Sequence, residues 1–96
     1  MPQLIWSPKA LQDVARLRLF LAPKNTAAAS RAVKTIRQGV KLLARHPEAG
    51  QLVDGLPPEF RDWPVGFGNS NYVARYHTDG QQVVILAVRH TKEFGF

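Results

Sequence analysis

The chain of 96 residues contains no cysteine, which rules out a disulfide framework and any thiolate metal site and removes the usual reason to expect an oxidising compartment. Apolar runs are also missing: none approaches the roughly 20 residues that cross a bilayer, and the opening Met-Pro-Gln-Leu-Ile-Trp-Ser-Pro-Lys-Ala-Leu has no basic stretch followed by an apolar one. Neither secretion nor membrane contact is expected, and the cytoplasm is the natural location. No Gly-x-Gly-x-x-Gly, Walker or Gly-x-Ser-x-Gly pattern occurs, so neither a cofactor nor acyl transfer has support. His46, His77 and His90, the only histidines, are not spaced as helical i,i+4 ligands, and no metal is expected.

Acidic residues are few and unevenly placed. Thirteen Lys and Arg face seven Asp and Glu, a net charge of +6. Residues 1–46 hold nine of those basic groups against one acid, Asp13, while the remainder carries four basic groups against six acids. Such a balance favours an acidic partner, nucleic acid or protein. Hydrophobic residues make up 45% of the chain, enough for a core at a length that supports one compact domain over 1–96.

Local patterns give the elements. Gln3 to Trp6 is short and β-prone, and Ser7-Pro8 supplies a helix N-cap followed by proline at the first helical position. Leu11, Val14, Leu17 and Leu21 recur at helical spacing until Pro23, predicting a helix over about 8–21. Asn25 or Thr26 can cap a second helix, with Ala29, Ala32, Val33, Ile36, Val40 and Leu43 on one stripe and Arg31, Lys34, Gln38, Lys41 and Arg45 on the opposite face. The short connection predicts an antiparallel helical hairpin.

Residues 47–58, rich in proline and glycine, read as a surface loop. β-structure follows over 59–65 and 72–77, and Val83 to Val88 is apolar on both faces, as in a central strand covered on two sides. If Asp79-Gly80 are the two turn residues of a hairpin, His77 pairs with Gln82 and Arg75 with Val84. Arg75 and His90 then share one face, while Arg89 joins Tyr72, Ala74 and Tyr76 on the other.

The order β-α-α-β-β-β resembles the RelE/ParE superfamily of type II toxins. So do Ile-Trp-Ser-Pro-Lys-Ala-Leu (5–11), Arg-His-Pro-Glu-Ala-Gly (45–50), Leu-Pro-Pro-Glu-Phe-Arg (56–61), Tyr-Val-Ala-Arg-Tyr (72–76) and Val-Val-Ile-Leu-Ala-Val-Arg-His (83–90). The resemblance implies an α+β fold in which an N-terminal strand and a helical hairpin precede a three-stranded antiparallel sheet. It also implies an antitoxin, ParD-like and of the ribbon-helix-helix class, that forms a hetero-oligomer with the toxin and alone contacts operator DNA. That antitoxin is expected over Leu11, Val14, Arg18, Arg31, Lys34, Lys41 and Trp63, although a solvated cationic face and core tryptophans account for several of these equally well.

Members of the superfamily cut mRNA in the ribosome or poison DNA gyrase. The cutting members resemble one another in a cluster of Lys and Arg on the sheet with a basic or aromatic residue near the C-terminus, where it would stabilise a charged phosphate. Here the strand offers Arg61 but no lysine, Val73 stands where those members have arginine after the strand tyrosine, and the tail carries Phe94 and Phe96 in place of tyrosine. The ParE-like branch is therefore favoured, a gyrase inhibitor acting by binding through Arg61, Arg75, Arg89, His90, Lys92, Phe94 and Phe96. Ion pairs with Asp62, Asp79 or Glu93 are the competing account of these cations. The alternatives are an mRNA endonuclease using Arg61, Arg75, Arg89 and His90, and a non-toxic module that only binds the antitoxin.

Overall fold

The computed structural model describes residues 3–23, 25–68, 70–93 and 96. Strand β1 (Gln3–Trp6) leads directly into helix α1 (Pro8–Leu21). Ser7 makes that junction possible in two ways: its hydroxyl accepts from the Ala10 amide at 3.1 Å as an N-cap and donates to the Leu86 carbonyl at 3.1 Å. Asn25 caps α2 (Thr26–Arg45) by accepting from the Ala28 amide at 3.0 Å. Both helices follow the expected spans.

Among the described residues five strands form one sheet in the order β1-β5-β4-β3-β2, where β2 is Gln51–Leu52, β3 Phe60–Phe67, β4 Ser70–Thr78 and β5 Gln82–His90. β1 runs parallel to β5 and the remaining neighbours are antiparallel. The 47–58 loop contributes a two-residue strand, β2 (Gln51–Leu52), that periodicity could not reveal in so short a piece. It pairs with β3 at the far edge.

Both helices pack on one face of the sheet. Ala10, Val14 and Leu17 of α1 and Ile36, Val40 and Leu43 of α2 meet Val65, Tyr72, Ala74, Tyr76, Val83, Ile85 and Val88 in one core cluster. Each fully buried aliphatic side chain there contributes on the order of 1.5–3 kcal/mol. Gly39 lets α2 approach β3, since a Cβ at that position would stand 3.1 Å from both methyl carbons of Val65. The expectation that β5 is covered on two sides is corrected: Val84 and Leu86 are half-buried, and no described helix packs on their face.

The β4–β5 pairing also differs from the expected register. Thr78 pairs with Val83 and His77 with Val84, so the turn encloses residues 79–82 rather than two residues. Asp79 explains this, because its Oδ1 accepts from the amides of Gln81 at 2.8 Å and Gln82 at 2.9 Å and so builds a wider loop. A β-bulge follows: Tyr76 pairs with Ile85 but Arg75 with Ala87, leaving Leu86 as the extra residue. Beyond it Val73 opposes Arg89 and Tyr72 opposes His90, the reverse of the expected facing.

The loop after α2 is fixed from inside. The buried Tyr76 hydroxyl donates to the Pro47 carbonyl at 2.7 Å and accepts from the Gly50 amide at 2.9 Å. Burial is the main cause that lifts the Tyr76 phenol above its ordinary 10.0, opposed by the Gly50 amide, and burial raises Tyr72 likewise. A phenol whose folded pKa exceeds its unfolded value contributes stability that is complete below the unfolded pKa and lost as pH rises through the folded one. Stability is therefore expected to fall as pH climbs past 10.0, with a shallower fall in Tyr76→Phe. At neutral pH that variant leaves the Gly50 amide without its acceptor and should cost about 1–3 kcal/mol in chemical denaturation.

Candidate functional site

The helix-free face of the sheet carries Phe60 and Asp62 of β3, Val73, Arg75 and His77 of β4, and Arg89 of β5, each half-buried and placed there by the strand pairing. Arg75 makes a two-point ion pair with Asp62, donating from Nε to Oδ1 at 2.9 Å and from Nη2 to Oδ2 at 3.1 Å. The hydrogen bond to Asp62 is the leading cause that raises the Arg75 pKa. The Phe96 ring lies 4.3 Å from the Arg75 guanidinium carbon and 5.0 Å from that of Arg89, so one aromatic face bridges two cations. Arg89 Nη1 donates to the carbonyls of His90, Thr91 and Glu93 at 3.3, 3.3 and 3.0 Å, tying the chain after β5 to the strand. Phe60 and His77 meet edge to face at 4.9 Å beside this cluster.

The residues expected to act together on a target divide between two sides of the sheet. Arg75 and Arg89 share the helix-free face, whereas Arg61 and His90 pair with Tyr76 and Tyr72 and so face the helices. Arg61 is occupied there: its Nη1 donates to the carbonyls of Glu48 at 3.1 Å and Gly50 at 2.9 Å. His90 stands edge to face with Tyr72 at 5.2 Å, and its Nδ1 accepts from the Lys92 amide at 3.0 Å. The bulge at Leu86 is the physical reason that Arg89 and His90 exchange sides. Lys92 is exposed, and Phe94 lies outside the described residues.

A second feature is a groove of about 730 Å³ where β1 meets the two helices. Leu4 and Trp6 of β1, Leu11 of α1 and Val33 of α2 supply its apolar lining. Arg18 of α1 and Lys34, Arg37 and Lys41 of α2 supply its charge, and among the described residues no acidic side chain lines it. Four of the residues expected to meet an antitoxin, Leu11, Arg18, Lys34 and Lys41, are thus brought together. The other three are not. Val14 is 5% exposed and belongs to the core, Trp63 packs against the core and donates from Nε1 to the Gly39 carbonyl at 3.0 Å, and Arg31 is exposed on α2 outside the lining. Leu4, Trp6, Val33 and Arg37 were missed as groove residues. Their apolar or basic character was visible, but their place beside the outer strand depends on the parallel pairing of β1 with β5.

Known proteins now identify the lineage. Residues 4–93 match the family described as ParE toxin of type II toxin-antitoxin system, parDE. The chain belongs to the ParE toxin family. It is 33% identical over 86 residues to Toxin RelE3 of Caulobacter vibrioides, covering 90% of each chain, and 29% identical over 90 residues to Toxin RelE2 of the same organism, covering 94% of this chain and 96% of that one. A solved chain from the chromosomal ParDE TA system of P. aeruginosa has the same fold, with a TM-score of 0.76 at 22% identity over 96% of this chain and 98% of that one. The chain is thus a type II toxin of the RelE/ParE superfamily with the α+β architecture that its sequence implied.

The Arg75–Asp62 pair is the best-defined polar contact on the helix-free face, with side chains 25% and 27% exposed. Two-point geometry at partial exposure is worth about 1 kcal/mol. A double-mutant cycle with Arg75→Ala and Asp62→Ala, read by urea unfolding, should return a coupling of about that size, reduced at high salt.

Proposed function

We propose that this ParE-family toxin arrests growth by binding DNA gyrase through the helix-free face around Arg75, Arg89 and Phe96, without catalysing a reaction of its own. The observation that carries the reading is the division of Arg61, Arg75, Arg89 and His90 between opposite faces of the sheet. A nuclease must aim its charged groups at one phosphate. Here one half of the set is engaged with loop carbonyls and Tyr72 on the helix side, while the half-buried arginines and aromatic rings of the other face are the residue types that anchor protein interfaces.

The groove is proposed as the seat of the cognate antitoxin, a ribbon-helix-helix protein whose acidic, amphipathic segment would set apolar side chains on Leu4, Trp6, Leu11 and Val33 and carboxylates against Arg18, Lys34, Arg37 and Lys41. The toxin would then act in the cytoplasm, form a hetero-oligomer with that antitoxin and reach operator DNA only through it. No described helix is long and apolar enough to cross a membrane. Co-purification with the product of the neighbouring gene tests this seat, and the Lys34→Glu, Lys41→Glu pair should weaken capture at least tenfold.

Gyrase incubated with relaxed plasmid and an excess of the purified chain should lose supercoiling activity. Arg75→Ala and Arg89→Ala should each raise the concentration required by about tenfold or more. Unaltered supercoiling at toxin excess rejects the reading. An mRNA endonuclease is the second reading, favoured by the RelE names of the Caulobacter vibrioides relatives. Primer extension on messages after induction separates the two, since cleavage at ribosome-bound codons belongs to the endonuclease alone. Harmless expression without the antitoxin would leave only the binding-module alternative.

A further inference from the structure

Strand β1 ends at Trp6, opposite Ile85, so among the described residues no strand runs along the outer edge of the second half of β5. Unpaired donors and acceptors there would be costly or would invite another strand. Side chains take the place of the absent strand. Ser7 Oγ donates to the Leu86 carbonyl at 3.1 Å, Asp13 Oδ2 accepts from the Val88 amide at 2.9 Å, Arg16 Nη2 donates to the Val88 carbonyl at 3.3 Å, and Glu93 Oε1 accepts from the His90 amide at 2.8 Å. Asp13 is at the centre of this row. It is 4% exposed, the one buried carboxylate among the described residues, and its other oxygen accepts from Lys9 Nζ at 2.5 Å and Arg16 Nη2 at 3.5 Å. Arg16 in turn pairs with Glu93.

The Val88 amide held by Asp13 lies two residues beyond the bulge at Leu86 and one before Arg89. Carried on unshifted from the Tyr76–Ile85 pair, the pairing of β4 with β5 would set Arg89 opposite Tyr72, on the helix side. With the bulge, Arg89 opposes Val73 and reaches the helix-free face beside Arg75. A bulge costs a strand its regular ladder, and it persists where another contact selects the shifted register. A buried carboxylate aimed at one specific amide is such a contact, since the same amide moved by one residue would point away from α1.

We propose that Asp13 is a positioning residue for the target-binding face: through the Val88 amide it holds β5 in the bulged register that delivers Arg89 to the side of Arg75. The role of Arg89 in inhibition rests on the gyrase-binding reading, whereas the register itself does not. Asp13 touches no target in this scheme, and its effect passes entirely through the strand.

Two measurements on the full chain separate these elements. The first is NMR of labelled protein, reading the cross-strand contact between Val73 and Arg89 and the exchange rate of the Val88 amide. The second is inhibition of gyrase supercoiling. Asp13→Ala should lose the Val73–Arg89 contact and exchange Val88 at least tenfold faster, while amides of Tyr76 and Ile85 stay protected, and should weaken inhibition about as much as Arg89→Ala. The double variant Asp13→Ala, Arg89→Ala should be no weaker than Arg89→Ala alone. Asp13→Asn, which keeps an oxygen for the Val88 amide, should restore both the contact and the inhibition. If Asp13→Ala does not fold, Asp13→Ser, polar but one carbon too short to reach Val88, replaces it with the same expectations. A folded Ala or Ser variant that keeps the Val73–Arg89 contact overturns the proposal, as does an Asn variant that loses it. Full inhibition by Arg89→Ala would instead reject the gyrase-binding reading and leave the register measurement to decide the role of Asp13.

Discussion

The two helices seal one face of the sheet, and from that one-sided burial the placement of every other group follows. Side chains alternate along a strand, so each residue of β3, β4 and β5 goes either under the helices or onto the helix-free face. Tyr72, Ala74 and Tyr76 fill the sealed side, where the core needs volume, and Val73, Arg75 and His77 are thereby assigned to the other. Ionisable groups follow the same division. Arg61 and His90, under the helices, are held by backbone groups or a ring, while on the other face Arg75 pairs with Asp62, Arg89 binds the carbonyls that follow β5, and the two share one aromatic ring.

The loop after α2 shows how a recognisable sequence fragment can be structural. Arg-His-Pro-Glu-Ala-Gly (45–50) supplies four backbone groups, the carbonyls of Pro47, Glu48 and Gly50 and the amide of Gly50, that Tyr76 and Arg61 bind from β4 and β3. Gly50 is required because a Cβ there would fall 2.6 Å from the Tyr76 hydroxyl. The Gly50 carbonyl receives Arg61 as well. Loop, glycine, tyrosine and arginine are therefore one lock that fastens the end of α2 to the sheet, and the arginine within it is not spare for a ligand.

The sequence made the helices legible because their signals are local. Ser7-Pro8 and Asn25 begin them, and the 3.6-residue stripes extend as far as the helices do. The β4–β5 hairpin was legible as a hairpin, yet its register was not, since Asp79-Gly80 matches a two-residue turn while the Asp79 carboxylate stabilises a longer one. The bulge was invisible in principle from strand pattern alone. Its contact comes from Asp13, 75 residues earlier in the chain, and in isolation Asp13 reads as one more polar position on an amphipathic helix. Arg89 and His90 of the expected target-binding set changed sides for that reason. The groove was half legible: cations at helical spacing identified its α2 wall, but Leu4 and Trp6 enter it only through the parallel β1–β5 pairing.

The groove and the helix-free face lie on different sides of the sheet, which constrains how an antitoxin in the groove could silence a target-binding surface. β1 separates them. It is an edge strand, with Leu4 and Trp6 turned toward the groove side and Ile5, opposite Val84, turned toward the helix-free side. A strand has no thickness beyond its own side chains, so a segment seated on Leu4 and Trp6 needs to cross only one backbone to stand over Ile5. With the antitoxin in the proposed seat, neutralisation would require no rearrangement of the toxin. A partner long enough to round that edge would occupy the groove and obstruct a large target at the same time, and the positive charge along α2 would attract it if it is acidic.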